Sequence, residues 1–343
     1  MRLILKGVLF VFLALIAAII GVIVWSNAPI HVDVNKPDPA VALANELTAS
    51  EPNYRGTHVG ERGARIHYVQ AGNPENEPII FLHGFPSYWF SMFRLMDEFK
   101  SDYHVVAIDG LGVGHSDAPN DLEAYRLEAL AAHLDSVIND LDYESVHLVG
   151  HDWGAGVATA YAKAYPEKVR TLTNISGPPH DVLLNRLDTD ATHRETFSYV
   201  NDFKRASPIA IKVLGIKDQL WESVYARYPA EGLMTQVEAD RLYADVGNPR
   251  RLDRLINWYR ANIPEFDAIT DEDFWPSRKA RLTVPSLFIY SDDDPVITDG
   301  VIADVREMSD DLTTLAFSGV GHRPHFVERD AVEASIRALI EER

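Results

Sequence analysis

The feature that most constrains this chain is a five-residue segment, Gly150-His151-Asp152-Trp153-Gly154, which directly follows a short apolar run. The β-branched and aliphatic residues of 145–149 predict a buried strand, and the small residues of 155–164 predict a helix. The spacing of the two glycines around the aspartate is that of a nucleophile elbow. Such a strand-to-helix turn is so sharp that its central side chain stands exposed at the carboxyl edge of a sheet.

The central residue of this segment is Asp152, where an esterase carries serine. A carboxylate is ionised at neutral pH, so it needs no base to act as a nucleophile, and it would form an alkyl ester with an electrophilic carbon. Aspartate is also a good helix cap, which offers a purely structural explanation of the same turn. A motif of five residues is a hypothesis until its context agrees with it.

Composition bounds the class of protein. The chain has 343 residues, of which 46% are hydrophobic, enough for one large domain or two modest ones. Its formal net charge of −19 would repel polyanions, so nucleic acid is not expected as a partner. The absence of cysteine excludes disulfides, thiol catalysis and thiolate metal sites.

The amino-terminal stretch from Gly7 to Trp25 is uncharged and almost wholly apolar, close to the ~20 residues that cross a bilayer. Because Arg2 and Lys6 precede it and acidic residues follow, we expect a single-pass membrane protein with a cytoplasmic amino terminus and the catalytic part on the far side. The alternative is a signal peptide cleaved near residue 28, which would give a secreted or periplasmic protein. Pro29 is a poor residue after a cleavage site.

The rest of the chain alternates predicted strands and helices. A half-exposed strand is predicted at 64–69, buried strands at 78–82 and 104–109, and further strands at 169–175, 285–290 and 312–317. Helices are predicted at 122–141 and 330–342. This alternation predicts an α/β fold with a parallel, doubly wound sheet. From about 180 to 271 only helical segments are predicted, so a helical cap is inserted between two parts of one sheet domain.

These observations predict five regions. They are a membrane anchor over 1–28, a proline-containing linker over 29–50, the sheet domain in two parts over 51–178 and 272–343, and the helical cap over 179–271.

An ester on Asp152 would be hydrolysed by water that a histidine activates, with a second carboxylate holding the histidine. His322 follows the last predicted strand, and the chain order of nucleophile, acid and histidine favours it over His325. The acid is expected in the turn that contains Asp292, Asp293 and Asp294. Asp294 is favoured because the following proline holds it in an extended conformation.

The hydrolysis of an ester also needs donors for the oxyanion. The backbone N–H groups of Trp153, after the nucleophile, and of Phe85, after His83-Gly84, are the candidates. Pro86 has no N–H to offer.

Together, His83-Gly84-Phe85-Pro86, the elbow segment, Asp294 and Gly321-His322 resemble the α/β-hydrolase superfamily. They more narrowly resemble its epoxide hydrolases and the related haloalkane dehalogenases. The resemblance covers residues from about 55 to 343. It implies an α/β-hydrolase fold and a small-molecule substrate, and it implies no metal and no organic cofactor. The apolar amino terminus adds the expectation of a lipophilic epoxide.

The resemblance also implies two cap tyrosines that protonate the epoxide oxygen and, with Trp153, bind the substrate. Asn257-Trp258-Tyr259-Arg260 matches the motif of the second one, and the segment 198–203 resembles that of the first, which gives Tyr199. The alternatives to Tyr199 are Tyr225, Tyr228 and Tyr243. Aromatic residues of a cap can also simply pack on the core.

The function that the resemblance implies is the opening of an epoxide to a vicinal diol through an ester of Asp152. A dehalogenase using the same nucleophile is the alternative. Phe85 offers no halide donor, which leaves Trp153, Trp258 and Trp275. A catalytically silent binding protein at the membrane is a third hypothesis, which the complete triad disfavours. The sequence leaves the oligomeric state open.

Overall fold

The computed structural model describes residues 2–48, 51, 53–61 and 63–343, and the side chains of all of these except residues 2–11, 13 and 61. The described residues form one eight-stranded sheet. Its strands are β1 (Arg55–Glu61), β2 (Ala64–Ala71), β3 (Pro78–Leu82), β4 (His104–Ile108), β5 (Val146–His151), β6 (Val169–Ile175), β7 (Ser286–Ser291) and β8 (Leu312–Phe317).

The strands lie in the order β1-β2-β4-β3-β5-β6-β7-β8. β1 and β2 pair in antiparallel fashion, as do β2 and β4, and every later pair is parallel. Every residue of β3, β4 and β5 is buried, which is typical of parallel strands covered on both faces. The predicted, mostly parallel α/β sheet is confirmed.

Helices surround this sheet. Those outside the cap are α1 (Arg2–Asn27), α2 (Pro39–Thr48), α3 (Phe93–Phe99), α4 (Leu127–Asp140), α5 (Trp153–Ala164), α13 (Asp299–Met308), α14 (Pro324–Val327) and α15 (Arg329–Glu341). Those between β6 and β7 are α6 (His180–Thr189), α7 (Ala191–Thr196), α8 (Tyr199–Arg205), α9 (Pro208–Val213), α10 (Ile216–Val224), α11 (Gln236–Val246) and α12 (Pro249–Asn262). The second group covers the carboxyl ends of the central strands, where the elbow lies.

The long helix predicted over 122–141 is interrupted, so that prediction was wrong. A single 3₁₀ turn ends before Arg126, whose backbone is extended with ψ 148°, and α4 begins after it. Asn262, at the end of α12, explains the break. Its side chain accepts the Leu127 N–H over 2.6 Å and donates to the Tyr125 carbonyl over 2.8 Å. The cap thereby supplies hydrogen bonds that a continuous helix would have made itself.

We expect Asn262→Ala to lower the free energy of unfolding by about 1–3 kcal/mol, because it leaves the buried Leu127 N–H and Tyr125 carbonyl without these partners. Urea unfolding followed by circular dichroism measures the change. Asn139→Ala, at the exposed end of α4, is the matched control, since among the described residues its exposed side chain forms hydrogen bonds only with the half-buried Asp135 and Lys168. Equal stability of the Asn262→Ala protein and wild type would contradict this explanation of the break.

The stretch predicted as a linker, 29–50, instead packs on the sheet domain over its described part. Ile30 forms a β-bridge with Ala118, and Asp38 accepts the indole N–H of Trp89 over 2.7 Å. Within α2, alanines at two positions one turn apart are fully buried. A pattern of prolines does not reveal these contacts, because they depend on partners far along the chain.

The apolar run predicted as a membrane anchor lies in α1. None of the helices whose residues the structure describes is long and apolar enough to cross a membrane, so the transmembrane helix is not supported. The described side chains of this run are Phe12 and those of 14–25. The remainder of the predicted anchor, 7–11 and 13, lies outside the described side chains. At its carboxyl end, α1 contacts α12, where Arg254 donates to the Ser26 carbonyl over 2.9 Å.

Candidate active site

The turn between β5 and α5 places Asp152 at the carboxyl edge of the sheet. Its backbone has φ 50° and ψ −119°, a strained conformation for a residue with a side chain. The flanking glycines make this turn possible. A Cβ on Gly150 would lie 2.6 Å from the Ala155 nitrogen, and one on Gly154 would lie 2.3 Å from the Leu82 carbonyl oxygen. The Asp152 side chain makes no capping hydrogen bond to α5, so the structural explanation as a helix cap does not apply.

The loop after β3 supplies a backbone donor to the nucleophile. The N–H of Phe85 donates to Asp152 Oδ1 over 2.7 Å. His83 supports this loop, because its Nε2 accepts the Gly110 N–H over 2.9 Å and its Nδ1 contacts the Gly84 carbonyl at 2.9 Å. Accepting at Nε2 leaves the proton on Nδ1, and burial lowers the pKa of His83, which favours this neutral form. His83 is therefore a structural residue of the loop.

The loops after β7 and β8 bring an acid and a histidine to the same carboxylate. His322 Nδ1 lies 2.7 Å from Asp294 Oδ2, and His322 Nε2 lies 3.4 Å from Asp152 Oδ2. Asp294 is buried, and its other oxygen accepts the Val296 N–H over 3.1 Å. The imidazole therefore lies between two carboxylates, in the geometry of a nucleophile, histidine and acid triad.

The two other aspartates of the acidic turn hold the histidine loop by its backbone. Asp292 Oδ1 accepts the Gly319 N–H over 3.2 Å, and Asp293 Oδ1 accepts the Gly321 N–H over 2.8 Å. Both side chains are exposed and neither contacts His322. The sequence predicts Asp292 and Asp293 only as alternative acids or turn residues. Their adjacency to Asp294 was the available signal, but it does not reveal which backbone they bind.

Charge interactions set the protonation of the triad. Burial alone would raise the pKa of Asp152, but the hydrogen bond and charge of His322 outweigh it and hold that pKa at about 2. Burial would lower the pKa of His322, but hydrogen bonds to Asp152 and Asp294 raise it to about 9. At neutral pH the resting site therefore holds a carboxylate nucleophile paired with an imidazolium.

The cap provides two phenols that face this pair. Tyr259 of α12 packs edge-to-face on Trp153 at 5.0 Å and on Phe85 at 5.1 Å between ring centroids. Tyr199 begins α8, and both tyrosines line the cavity that Asp152 and His322 also line. Burial and the charge of Asp152 raise the pKa of Tyr199, and burial raises that of Tyr259 well above its ordinary value. Both hydroxyls are therefore protonated at neutral pH and can donate.

The alternative tyrosines lie elsewhere among the described residues. Tyr225 and Tyr228 pack on Phe326, with ring centroids 6.3 and 5.3 Å from it. Tyr243 contacts Lys217 and Asp218 near the cap surface. None of the three lines the cavity.

The rival histidine, His325, and the candidate halide donors Trp258 and Trp275 also lie outside the cavity lining. His325 is buried with its ring 4.4 Å from that of His151 and does not line the cavity of the described site. The indole N–H of Trp258 is occupied, because it donates to the Leu111 carbonyl over 2.9 Å. Trp275 packs near Tyr165 at 6.4 Å, also outside the cavity lining.

The cavity in front of Asp152 has a volume of about 220 Å³. Apart from the triad, the tyrosines, His180 and Arg323, its walls are largely apolar, and the aliphatic and aromatic residues are Phe85, Trp153, Leu183, Phe197, Phe203, Leu220, Val224, Ile263 and Val296. Such walls favour a compact apolar ligand and exclude water from the triad, which strengthens the electrostatic interactions within it.

Comparison with known proteins agrees with this architecture. A family model described as "alpha/beta hydrolase fold" matches residues 77–329. Epoxide hydrolase 4 of Mus musculus is 32% identical over 262 residues, which cover 74% of this chain and 70% of that protein. Epoxide hydrolase 4 of Homo sapiens is 31% identical over 254 residues, covering 71% and 67%. The solved structure of a Bacillus megaterium epoxide hydrolase with an inhibitor is similar, with a TM-score of 0.73 at 25% identity over 83% of this chain and 100% of that one.

Proposed function

Because the chain belongs to the α/β-hydrolase fold family, as an epoxide hydrolase-like member, we propose that it opens epoxides to vicinal diols. One observation carries the proposal. A carboxylate occupies the elbow opposite two protonated phenols, in one apolar cavity. A carboxylate can attack an epoxide carbon, and phenols can protonate the oxygen that leaves it.

In the proposed first step, Asp152 attacks one epoxide carbon from the face opposite the C–O bond, which breaks. The epoxide oxygen takes a proton from Tyr259 or Tyr199. The product is an ester between Asp152 and a hydroxyalkyl group. Esterification removes the negative charge that holds the proton on His322, so the imidazolium returns a proton to the phenolate and becomes a neutral base.

In the second step, His322 takes a proton from water, and the hydroxyl attacks the carbonyl carbon of the ester. The N–H groups of Phe85 and Trp153 would hold the oxyanion, and the 2.7 Å bond from Phe85 to Asp152 already has the required direction. The tetrahedral intermediate then expels the diol, which takes the proton of the added hydroxyl. Asp152 is left as a carboxylate beside a protonated His322, as in the resting site.

A panel assay tests the reaction class. Purified protein is incubated with small apolar epoxides and with haloalkanes of similar size, and diol and halide are quantified separately. We expect diol from the epoxides and no more than trace halide, because the Trp258 indole N–H is bound to a backbone carbonyl. Halide release without diol would select a dehalogenase. Substrate binding without turnover, unaffected by Asp152→Ala, would favour a binding protein.

Tyr259→Phe is expected to slow epoxide opening by about 10²-fold, because it removes a general acid from the leaving oxygen. The measurement is the rate of ester formation in a single turnover, with little change expected in the later hydrolysis. Tyr243→Phe is the matched control, since that hydroxyl contacts Lys217 and Asp218 instead of the cavity. Wild-type ester formation in Tyr259→Phe would remove Tyr259 from the mechanism.

A further inference from the structure

The residue after the catalytic histidine, Arg323, is buried inside the site and lines its cavity. Its Nη2 donates to the Phe85 carbonyl over 3.1 Å, and its guanidinium lies 5.0 Å from the centroid of the Tyr225 ring. The N–H of the same Phe85 donates to Asp152. One side chain therefore joins the histidine loop, the oxyanion loop and the cap.

The charge of Arg323 has no direct counter-ion. In the part of the chain that the structure describes, its guanidinium makes no ion pair with a carboxylate, and its Nε has no hydrogen-bond partner. An arginine keeps its charge even when buried, and burying an unpaired charge is costly. The carboxylate whose charge acts on Arg323 is that of Asp152, across the site.

The negative and positive groups that line the cavity are equal in number. The carboxylates of Asp152 and Asp294 face the cations His322 and Arg323. Three histidines do not enter the balance, namely His180, which lines the cavity, and the neighbouring His151 and His325. Burial lowers the pKa of His180, and it lowers those of His151 and His325 well below the ordinary value, so all three are neutral at neutral pH. Burial raises the pKa of Tyr228, so this residue, on the cap side, contributes a neutral phenol.

We propose that Arg323 is a positioning residue for ester hydrolysis, which holds the Phe85 loop in place and whose fixed charge keeps His322 unprotonated once Asp152 is esterified. This inference rests on the proposed function. Esterification removes one of the two negative charges. Once the phenolate has regained its proton, a His322 that was still protonated beside the permanently positive Arg323 would give the buried site an excess positive charge, so the neutral imidazole is favoured. The neutral imidazole is the form that can accept a proton from water.

Two substitutions separate the charge from the hydrogen bond. Arg323→Gln keeps a donor for the Phe85 carbonyl but removes the charge, whereas Arg323→Lys keeps the charge. Arg337→Met is the control, because Arg337 pairs with Asp102 and Glu333 at the surface. The readouts are the rate constants for ester formation and ester hydrolysis in a single turnover with a small apolar epoxide, each measured from pH 6 to pH 10.

In Arg323→Gln, the pH midpoint of ester hydrolysis is expected to rise by about one unit, which slows hydrolysis at pH 7 about tenfold. Ester formation should change less than about threefold, because it uses the already ionised Asp152. Arg323→Lys is expected to keep the wild-type midpoint, and Arg337→Met to keep both rates. An unchanged midpoint in Arg323→Gln, or an equal loss of both rates, would overturn the inference.

Wild type supplies a test that needs no variant. Burial would lower the pKa of His322 in the resting site, but its hydrogen bonds to Asp152 and Asp294 raise it. The inference requires the hydrolysis midpoint to lie below this resting pKa as measured by NMR titration of the unreacted protein, and a midpoint at or above the measured value would overturn it. Absence of any ester in wild type would instead overturn the proposed route and this inference with it. If wild type forms the ester but the pH dependence of ester hydrolysis is unchanged in Arg323→Gln, this inference is overturned and the proposed route is not.

Discussion

Replacing Asp152 with alanine is expected to abolish diol formation, lowering kcat/KM by about 10⁴-fold or more. The methyl group cannot attack carbon, and no other carboxylate takes its place, because Asp294 is held by His322 at 2.7 Å and by the Val296 N–H. Initial rates of diol formation from a substrate that wild type converts are the measurement.

Asp240→Ala is the matched control, since among the described residues this exposed carboxylate of α11 accepts a hydrogen bond only from the Gln236 amide. It is expected to retain wild-type rates, so that loss of a carboxylate elsewhere on the protein can be separated from loss of the nucleophile. Substantial diol formation by Asp152→Ala would show that water attacks the epoxide directly, and would contradict the mechanism.

His322→Gln is expected to halt the reaction at the ester. Glutamine fills similar space but cannot take a proton from water, so the second step should slow by about 10³-fold while the first step proceeds. After incubation with an epoxide, the mass of the protein should increase by the mass of one epoxide, and the addition should map to the peptide that contains Asp152.

The control for this variant is His31→Gln, because the His31 side chain is 64% exposed and, within the described part of the chain, pairs only with Asp117. It should turn over like wild type and accumulate no ester. Consumption of substrate by His322→Gln without any mass increase would contradict the assignment of His322 as the base of the second step.

The sheet was largely predictable because its central strands are continuous apolar runs. The one strand that the sequence did not indicate is β1, whose segment Arg55–Glu61 contains two glycines and mostly polar residues. As an edge strand paired on one side only, β1 buries little, so it carries no apolar pattern. β1 pairs with β2 in antiparallel fashion, and the periodicity of apolar residues does not reveal such a pairing.

The site was predictable where local spacing or chain order carries information. The glycines around Asp152 indicate the strained turn, and the order of the loops indicates Asp294 and His322. Contacts between distant segments carry no such signal. Asn262 interrupts a helix 135 residues away, and Arg323 binds a carbonyl 238 residues away. These roles can be assigned only from the folded structure, in which the cap and the loops are in contact.

The path of oxygen in a single turnover tests the central claim most directly. Wild-type protein in molar excess over an epoxide is allowed to react once in water enriched in ¹⁸O, and both the diol and the Asp152 peptide are then analysed by mass spectrometry. If Asp152 becomes esterified and water attacks its carbonyl carbon, the label enters the Asp152 carboxylate and the first diol carries an oxygen from the protein. Label in the first diol with none in Asp152 would show direct attack by water and contradict the account.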